Sequence, residues 1–494
     1  MTAFPSTAEL LVSGGDSRIT PDPQTGRNKY GCSTLPDVEL IALGSSTASI
    51  ISERGLAAAN LLRDHCATLI EHASPESVYA EQIQSLRVEL LSLCGITNDD
   101  KVSTLLAASG TDIHLLLAQW LEPDLTLMID PAETGSGLVA ALQGKHFSSD
   151  STCAGGAPAG SAVSDWHGEL KTFAAREPDG RPRHPDSVDH ELAALVESAV
   201  TANKRILLIL TDVCKTGLIF PDISIVKKLQ QQWPTHLQVV VDACQFRLST
   251  ASLRAYLAHD FCIALTGSKF LGGPTFSGAL LIPDAVAKAH QDQVLHAGAR
   301  AYSYAADWPV GLHAALNLEV GANFGLLLRW EAAMAELRRF AALNDAQLRP
   351  FLRRFFDVVG TRLALDPHFE PVQNPPLDRS AIGSTGSWDN EQTIFPFIIY
   401  QTLSDDQRRP LTRSETAAVY QQLQSPTTAP LQKLRFQLGQ PVLCGERMGT
   451  AVSALRLCIS APMLIAAQKE DQADKIITDA LLALDRIVEL VALL

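Results

Sequence analysis

The hydrophobic positions of this chain fall into two kinds of segment. Short apolar runs occur at 101–108, 125–130, 205–210, 239–243, 264–266 and 278–283. Between them lie stretches whose apolar residues repeat every three or four positions, such as Ile113, Leu116, Leu117 and Trp120. Runs of that length predict strands buried on both faces, and their alternation with amphipathic helices predicts a mostly parallel, doubly wound α/β sheet. Upstream, a Pro, Gly and Ser-rich arm reads as loop, and two helical patterns follow it, ending near Leu93. The Gly, Ala and Ser-rich run at 148–164 reads as a loop, with a lid as the alternative. Beyond 343–353 a smaller domain is expected, with strands at 390–400 and 454–460. A final helix over 471–494 has an apolar end expected to pack against the large domain. The organisation that follows is an arm with the first small-domain elements over 1–60, a large domain over 61–340 and a C-terminal domain over 341–494.

Two strand ends carry the chemistry. The run Val239-Val240-Val241 delivers Asp242 at its carboxyl end, where α/β sheets bind their ligands, with Gln245 three residues on. Downstream, Thr266-Gly267-Ser268-Lys269 is followed by Gly272-Gly273, glycines that let backbone approach a ligand closely. A lysine to form a Schiff base and a carboxylate to keep a pyridinium nitrogen protonated are what pyridoxal phosphate (PLP) requires. Lys269 and Asp242 match those roles, the Gln245 amide is in place for the ring's phenolic oxygen, and the Thr266 and Ser268 hydroxyls for the phosphate. The turn Ser109-Gly110-Thr111 lies between a strand and a helix start, where free amides bind phosphate; a plain N-cap is the alternative. Near the C-terminus, Arg456 is a lone charge in an alternating apolar strand. A guanidinium there needs an anion, either a substrate carboxylate or a structural ion pair.

The arrangement resembles the class V aminotransferase family of fold type I PLP enzymes, which includes cysteine desulfurases, kynureninase and isopenicillin N epimerase. The family pattern Asp-x-x-Gln then Ser-Gly-His-Lys corresponds to Asp242-Ala243-Cys244-Gln245 and Thr266-Gly267-Ser268-Lys269. The resemblance implies a large domain with a mostly parallel seven-stranded sheet, a smaller C-terminal α+β domain, and a homodimer with active sites at the subunit interface. It implies that Ser109, Gly110 and Thr111 form a phosphate cup and that Arg456 holds the substrate's α-carboxylate. Thr134 stands where desulfurases carry a histidine that stacks on the ring, and Lys215 roughly where an asparagine nears the phenolic oxygen. Lys215 reads as a substrate-binding cation or proton shuttle, against an exposed surface lysine. The turn at 317–323 implies that Asn323 reaches a neighbouring subunit's cofactor, and Tyr30 of the arm joins the substrate-binding candidates.

The expected activity is PLP chemistry at the Cα of an amino acid or related amine, of lyase or transaminase type. One alternative is a cysteine desulfurase using Cys444, which lies two residues later than the family's sulfur acceptor, at the position of Val442. Another is a catalytically idle relative acting as a scaffold. No Gly-x-Gly-x-x-Gly follows an early strand, which argues against a nicotinamide dehydrogenase. At 494 residues, 46% hydrophobic and 19% charged, the chain can bury a large core, and a net charge of −14 argues against nucleic acid or anionic membrane as partner. Nine cysteines with no Cys-x-x-Cys pair argue against a metal site and for reduced thiols. The start of the chain shows no basic region followed by an apolar core, and no apolar run approaches bilayer length, so a cytoplasmic protein is expected.

Overall fold

The computed structural model describes residues 4–153, 157–403, 407–425 and 434–494. Its first strand, β1 (Leu40–Leu43), belongs to the smaller of two sheets. The larger sheet takes β2 (Ser103–Ala107), β3 (Leu125–Ile129), β4 (Glu169–Phe173), β5 (Ile206–Asp212), β6 (Ile219–Phe220), β7 (Leu237–Ala243), β8 (Cys262–Thr266) and β9 (Gly278–Ile282). Seven of these run in the order β2-β9-β8-β7-β5-β3-β4, while β6 forms a two-residue hairpin on β5. All neighbours in that path are parallel except those flanking β9, which is antiparallel to β2 and β8. The unbroken apolar runs are thereby explained, since β3, β5, β8 and β9 are buried at every residue.

Register brings the carboxyl ends of three strands side by side. Asp242 of β7 lies opposite Thr211 of β5 and Ala264 of β8. The segments after those strands, beginning at Val213, Cys244 and Gly267, therefore emerge on one edge of the sheet, together with the turn after β2. Helix Gly110–Leu121 starts at that turn and is buried almost throughout.

The smaller sheet adds β10 (Phe369–Pro371), β11 (Ile394–Thr402), β12 (Arg408–Pro410), β13 (Arg435–Arg447) and β14 (Thr450–Cys458) in the order β1-β13-β14-β11-β10, with β12 on β11. Only β1 pairs in parallel. Arg456 sits mid-sheet on β14, opposite Gly439 and Pro396. The expected strand at 390–400 starts later, at Ile394, because Trp388–Asn390 forms a 3-10 turn whose tryptophan stacks on Phe270.

Two further expectations are corrected. The final helix, Gln472–Val491, packs its apolar stripe against helices Asp345–Leu365, Arg413–Leu423 and Ala461–Ala466, all C-terminal elements like itself, not against the large sheet's helices. The arm is not only loop: it forms the helix Thr7–Leu11, closed by a Ser6–Glu9 capping box, and a 3-10 turn at Ser17–Ile19. The described part of 148–164 is loop, and Thr152 ties it down by donating to Asp112 at 2.8 Å; residues 154–156 lie outside the described residues. Among the described residues no helix is long and apolar enough to cross a membrane, and no cluster of three His, Cys, Asp or Glu residues is arranged to hold a metal.

Candidate active site

The strand ends converge on a cavity of about 240 Å³. Its wall includes Ser109, Gly110, Thr111, Thr134, Lys215, Asp242, Gln245, Thr266, Ser268, Lys269 and Arg456, and the arm contributes Tyr30. Residues more than 400 positions apart thus share one pocket because the smaller sheet closes over the carboxyl edge of the larger.

Lys269 enters from the turn after β8. Its backbone carbonyl accepts from the Ser49 hydroxyl at 2.7 Å, while its ammonium makes no hydrogen bond or ion pair among the described residues. Asp242 is 8% exposed and accepts from the Cys244 amide at 3.2 Å. Gln245 donates to the Ser46 carbonyl at 3.0 Å, and its buried Oε1 has no partner. Three further buried polar atoms of the wall are also unpartnered: His114 Nε2, Thr211 Oγ1 and Arg456 Nε.

At one end lies the turn after β2. Ser109 caps helix Gly110–Leu121, and its hydroxyl donates to Asp112 in a very short bond while accepting from the Asp112 amide. Ser109 is an N-cap, and the amides of Gly110 and Thr111, at the first two helical positions, have no intrahelical acceptor, so the cap leaves them open to a ligand. A Cβ on Gly110 would stand 2.7 Å from the Cys244 sulfur, so only glycine lets the helix start this close to the sheet. The Thr111 hydroxyl lines the pocket. The expectation for Thr266 needs revision, since its hydroxyl donates to the Cys244 carbonyl at 2.5 Å and has no proton left for a phosphate.

At the other end Arg456 is 1% exposed. It donates to the Lys215 carbonyl at 3.2 Å, to Thr47 Oγ1 at 3.1 Å and to the Gln440 carbonyl at 2.6 Å. None of these partners is a carboxylate, so among the described residues Arg456 forms no structural ion pair. Lys215, expected to be an exposed side chain, instead lines the cavity; burial, with Arg456 and Lys269 nearby, pulls its ammonium down to about 8. Glu133 is the other acid of the wall, and it is already engaged: Arg176 reaches it at 3.0 Å and the Thr216 hydroxyl at 2.8 Å.

Two candidates do not come to the pocket. Asn323 caps helix Phe324–Phe340, accepting from the Leu326 amide at 2.9 Å and donating to the Gly14 carbonyl at 3.1 Å, so its amide is spent inside its own chain. Cys444 is buried among Val372, Ile398, Tyr400, Val452 and Ala454, and burial pushes its thiol up; Val442 faces the cavity in its stead. Sequence reasoning missed Arg18, His114, Thr47 and Gln440. Only the hydroxyl-rich run Gly44-Ser45-Ser46-Thr47 offered a local signal, and the others depend on long-range packing.

No family model and no curated protein matches the sequence. Solved structures do. A NifS-like protein from Rickettsia africae superposes with a TM-score of 0.54 at 12% identity, covering 91% of this chain and 99% of that one. The cysteine desulfurase CsdA from Escherichia coli gives 0.55 at 15% identity, covering 92% and 95%. A C-DES variant with glycine covalently linked to its PLP cofactor gives 0.54 at 14% identity, covering 90% and 99%. This chain therefore has the fold type I architecture of those proteins, as its motifs implied.

Proposed function

We propose that this protein is a PLP enzyme acting at the Cα of an amino acid or related amine. The observation that carries the reading is the pocket itself. A lysine with no partner among the described residues, a strand-end aspartate, a helix N-terminus and a buried arginine hydrogen-bonded to no carboxylate share one cavity. Those residues fit the cofactor. Asp242 would hold a proton at the pyridine nitrogen, the second N–H of the Gln245 amide is free for the phenolic oxygen, and Gly110, Thr111 and Ser268 would take the phosphate. When bound, PLP supplies an electron sink for the electron pair left as a bond to Cα breaks.

The remaining roles belong to this chain's side chains. Lys269 would hold the cofactor through its amine and, once the substrate's amine displaces it, carry a proton to or from Cα. Arg456 would bind the substrate carboxylate in two-point fashion, gaining the anion it lacks, with Lys215 as a second cation alongside. Tyr30 would border the substrate from the arm. The buried Cys444 supports lyase or transaminase chemistry over a desulfurase using that cysteine. The reading includes a homodimer, supported by the exposed apolar side chains of Val310, Leu316 and Val320; sedimentation at twice the chain mass is expected, and a monomer contradicts it.

The test of the cofactor reading is an absorption titration of the purified protein with PLP. A visible band that forms in the natural protein and not in Lys269→Ala is expected. A protein that stays colourless overturns the proposal in favour of an idle scaffold.

A further inference from the structure

The N-terminal arm delivers a cation to the phosphate end of the pocket. Arg18 lies in the 3-10 turn capped by Asp16, with 14% of its side chain exposed. Its guanidinium packs against two rings, 4.6 Å from the centre of Phe276 and 5.3 Å from that of Phe147. Asp16 orients it, accepting from Nε at 2.9 Å and from Nη2 at 2.6 Å. The donors left over point to the cup: Nη1 reaches Thr111 Oγ1 at 3.3 Å and Nη2 reaches Ser109 Oγ at 3.4 Å. Both bonds are long for a charged donor and both end on neutral hydroxyls. The residues at the mouth of helix Gly110–Leu121 thus include a rigidly held guanidinium whose outward donors have only weak partners, while His114, one turn into that helix, has a buried unpartnered Nε2.

The arm is held from behind. Arg329, fully buried in helix Phe324–Phe340, donates to the carbonyls of Leu11, Ser13 and Gly14 at 3.2, 2.5 and 2.8 Å. Asn323 adds its bond to Gly14, and a Cβ on Gly14, whose φ is +61°, would fall 1.9 Å from Asn323 Oδ1. The two side chains lock residues 11–14, and the turn that carries Arg18 follows.

We propose that Arg18 is a phosphate-binding residue, which holds the cofactor's phosphate from within the same chain, and that Asn323 and Arg329 are positioning residues for it. The inference rests on the PLP reading above and extends it to a residue on the arm. The outward guanidinium donors match a phosphate that also accepts from the Gly110 and Thr111 amides, and they give it charge-assisted bonds that hydroxyls cannot, with Asp16 holding the other side of Arg18.

Titration of the apoprotein with PLP and with pyridoxal, followed by tryptophan quenching, tests it, because the two ligands differ only in the phosphate. Arg18→Gln is expected to lose about 10- to 100-fold in PLP affinity, the worth of a charge-assisted hydrogen bond, and less than about twofold for pyridoxal. Arg18→Lys is expected to retain part of the preference for PLP, and it decides the matter if Arg18→Gln fails to fold. Unchanged PLP affinity in both variants, or equal losses for both ligands in a variant that melts at the natural protein's temperature, overturns the proposal while leaving the cofactor reading intact. A natural protein that binds neither ligand overturns the cofactor reading, and this role of Arg18 with it.

Discussion

Arg456 shows most plainly how the site's chemistry follows from single residues. Desolvating a guanidinium is costly, and the hydrogen bonds of this one go to carbonyls and a hydroxyl, with the nearby Glu133 already engaged by Arg176 and Thr216. A substrate carboxylate would repair that deficit, which is why the residue reads as an anchor. The alternation of β14 made the position legible from sequence, since one charge stood where every neighbour was apolar. Lys215 was half legible: the motif around it located the strand end, but its place in the cavity depends on Arg456, 241 residues away, which holds its backbone carbonyl. Its lowered value makes a pH prediction. Lys215 is a cation below about pH 8 and neutral above, so it attracts a carboxylate below that point and loses this attraction as pH rises through it. Arg456 stays charged throughout. The Kd for carboxylate substrates is expected to rise across pH 8 in the natural protein and to lose that rise in Lys215→Met; superimposable profiles would remove Lys215 from the substrate site.

At the scale of elements, the ends of β5, β7 and β8 hold the pocket's wall in register, and β5 also ties the larger sheet to the connection between β10 and β11. Asp212, its last residue, forms a fully buried pair with Arg379, at 2.8 Å to Nε and 2.5 Å to Nη2, and accepts from the Tyr256 hydroxyl at 2.7 Å. The apolar run of β5 was readable; its partner 167 residues away was not, because nothing local marks Arg379 as buried. Removing one member of such a pair strands the other charge in a dry interior. Arg379→Met is therefore expected to destabilise the protein by about 3–5 kcal/mol, read as a lowered urea midpoint; a loss below about 1 kcal/mol would mean the pair is solvated in solution. The arm shows the opposite failure of local reading. Its Pro, Gly and Ser content predicted loop, yet carbonyls of that loop are held by buried side chains of helix Phe324–Phe340, an interaction no window of sequence contains.

For the whole molecule, the sequence was most legible where the physics is local and repetitive. Buried strands announce themselves by unbroken apolar runs, and their alternation with helices led to a mostly parallel, doubly wound sheet; its count of seven strands came from the family resemblance, because β4 is largely exposed and has no apolar run. The motif residues at strand ends were legible for the same reason, because strand ends define one edge. Chain-wide closure was not: which arm residue enters the pocket, which hydroxyl is already spent, and where the last helix packs depend on contacts hundreds of residues apart. That closure sets three lysines, Lys29, Lys215 and Lys269, around one cavity, so the claim that Lys269 holds the cofactor can be put to a direct choice among them. The most direct measurement is borohydride reduction of the PLP-loaded protein followed by peptide mapping of the modified residue. The account predicts loss of the visible band and a single reduced adduct on Lys269; an adduct on Lys215 or Lys29, or no adduct at all, would contradict it.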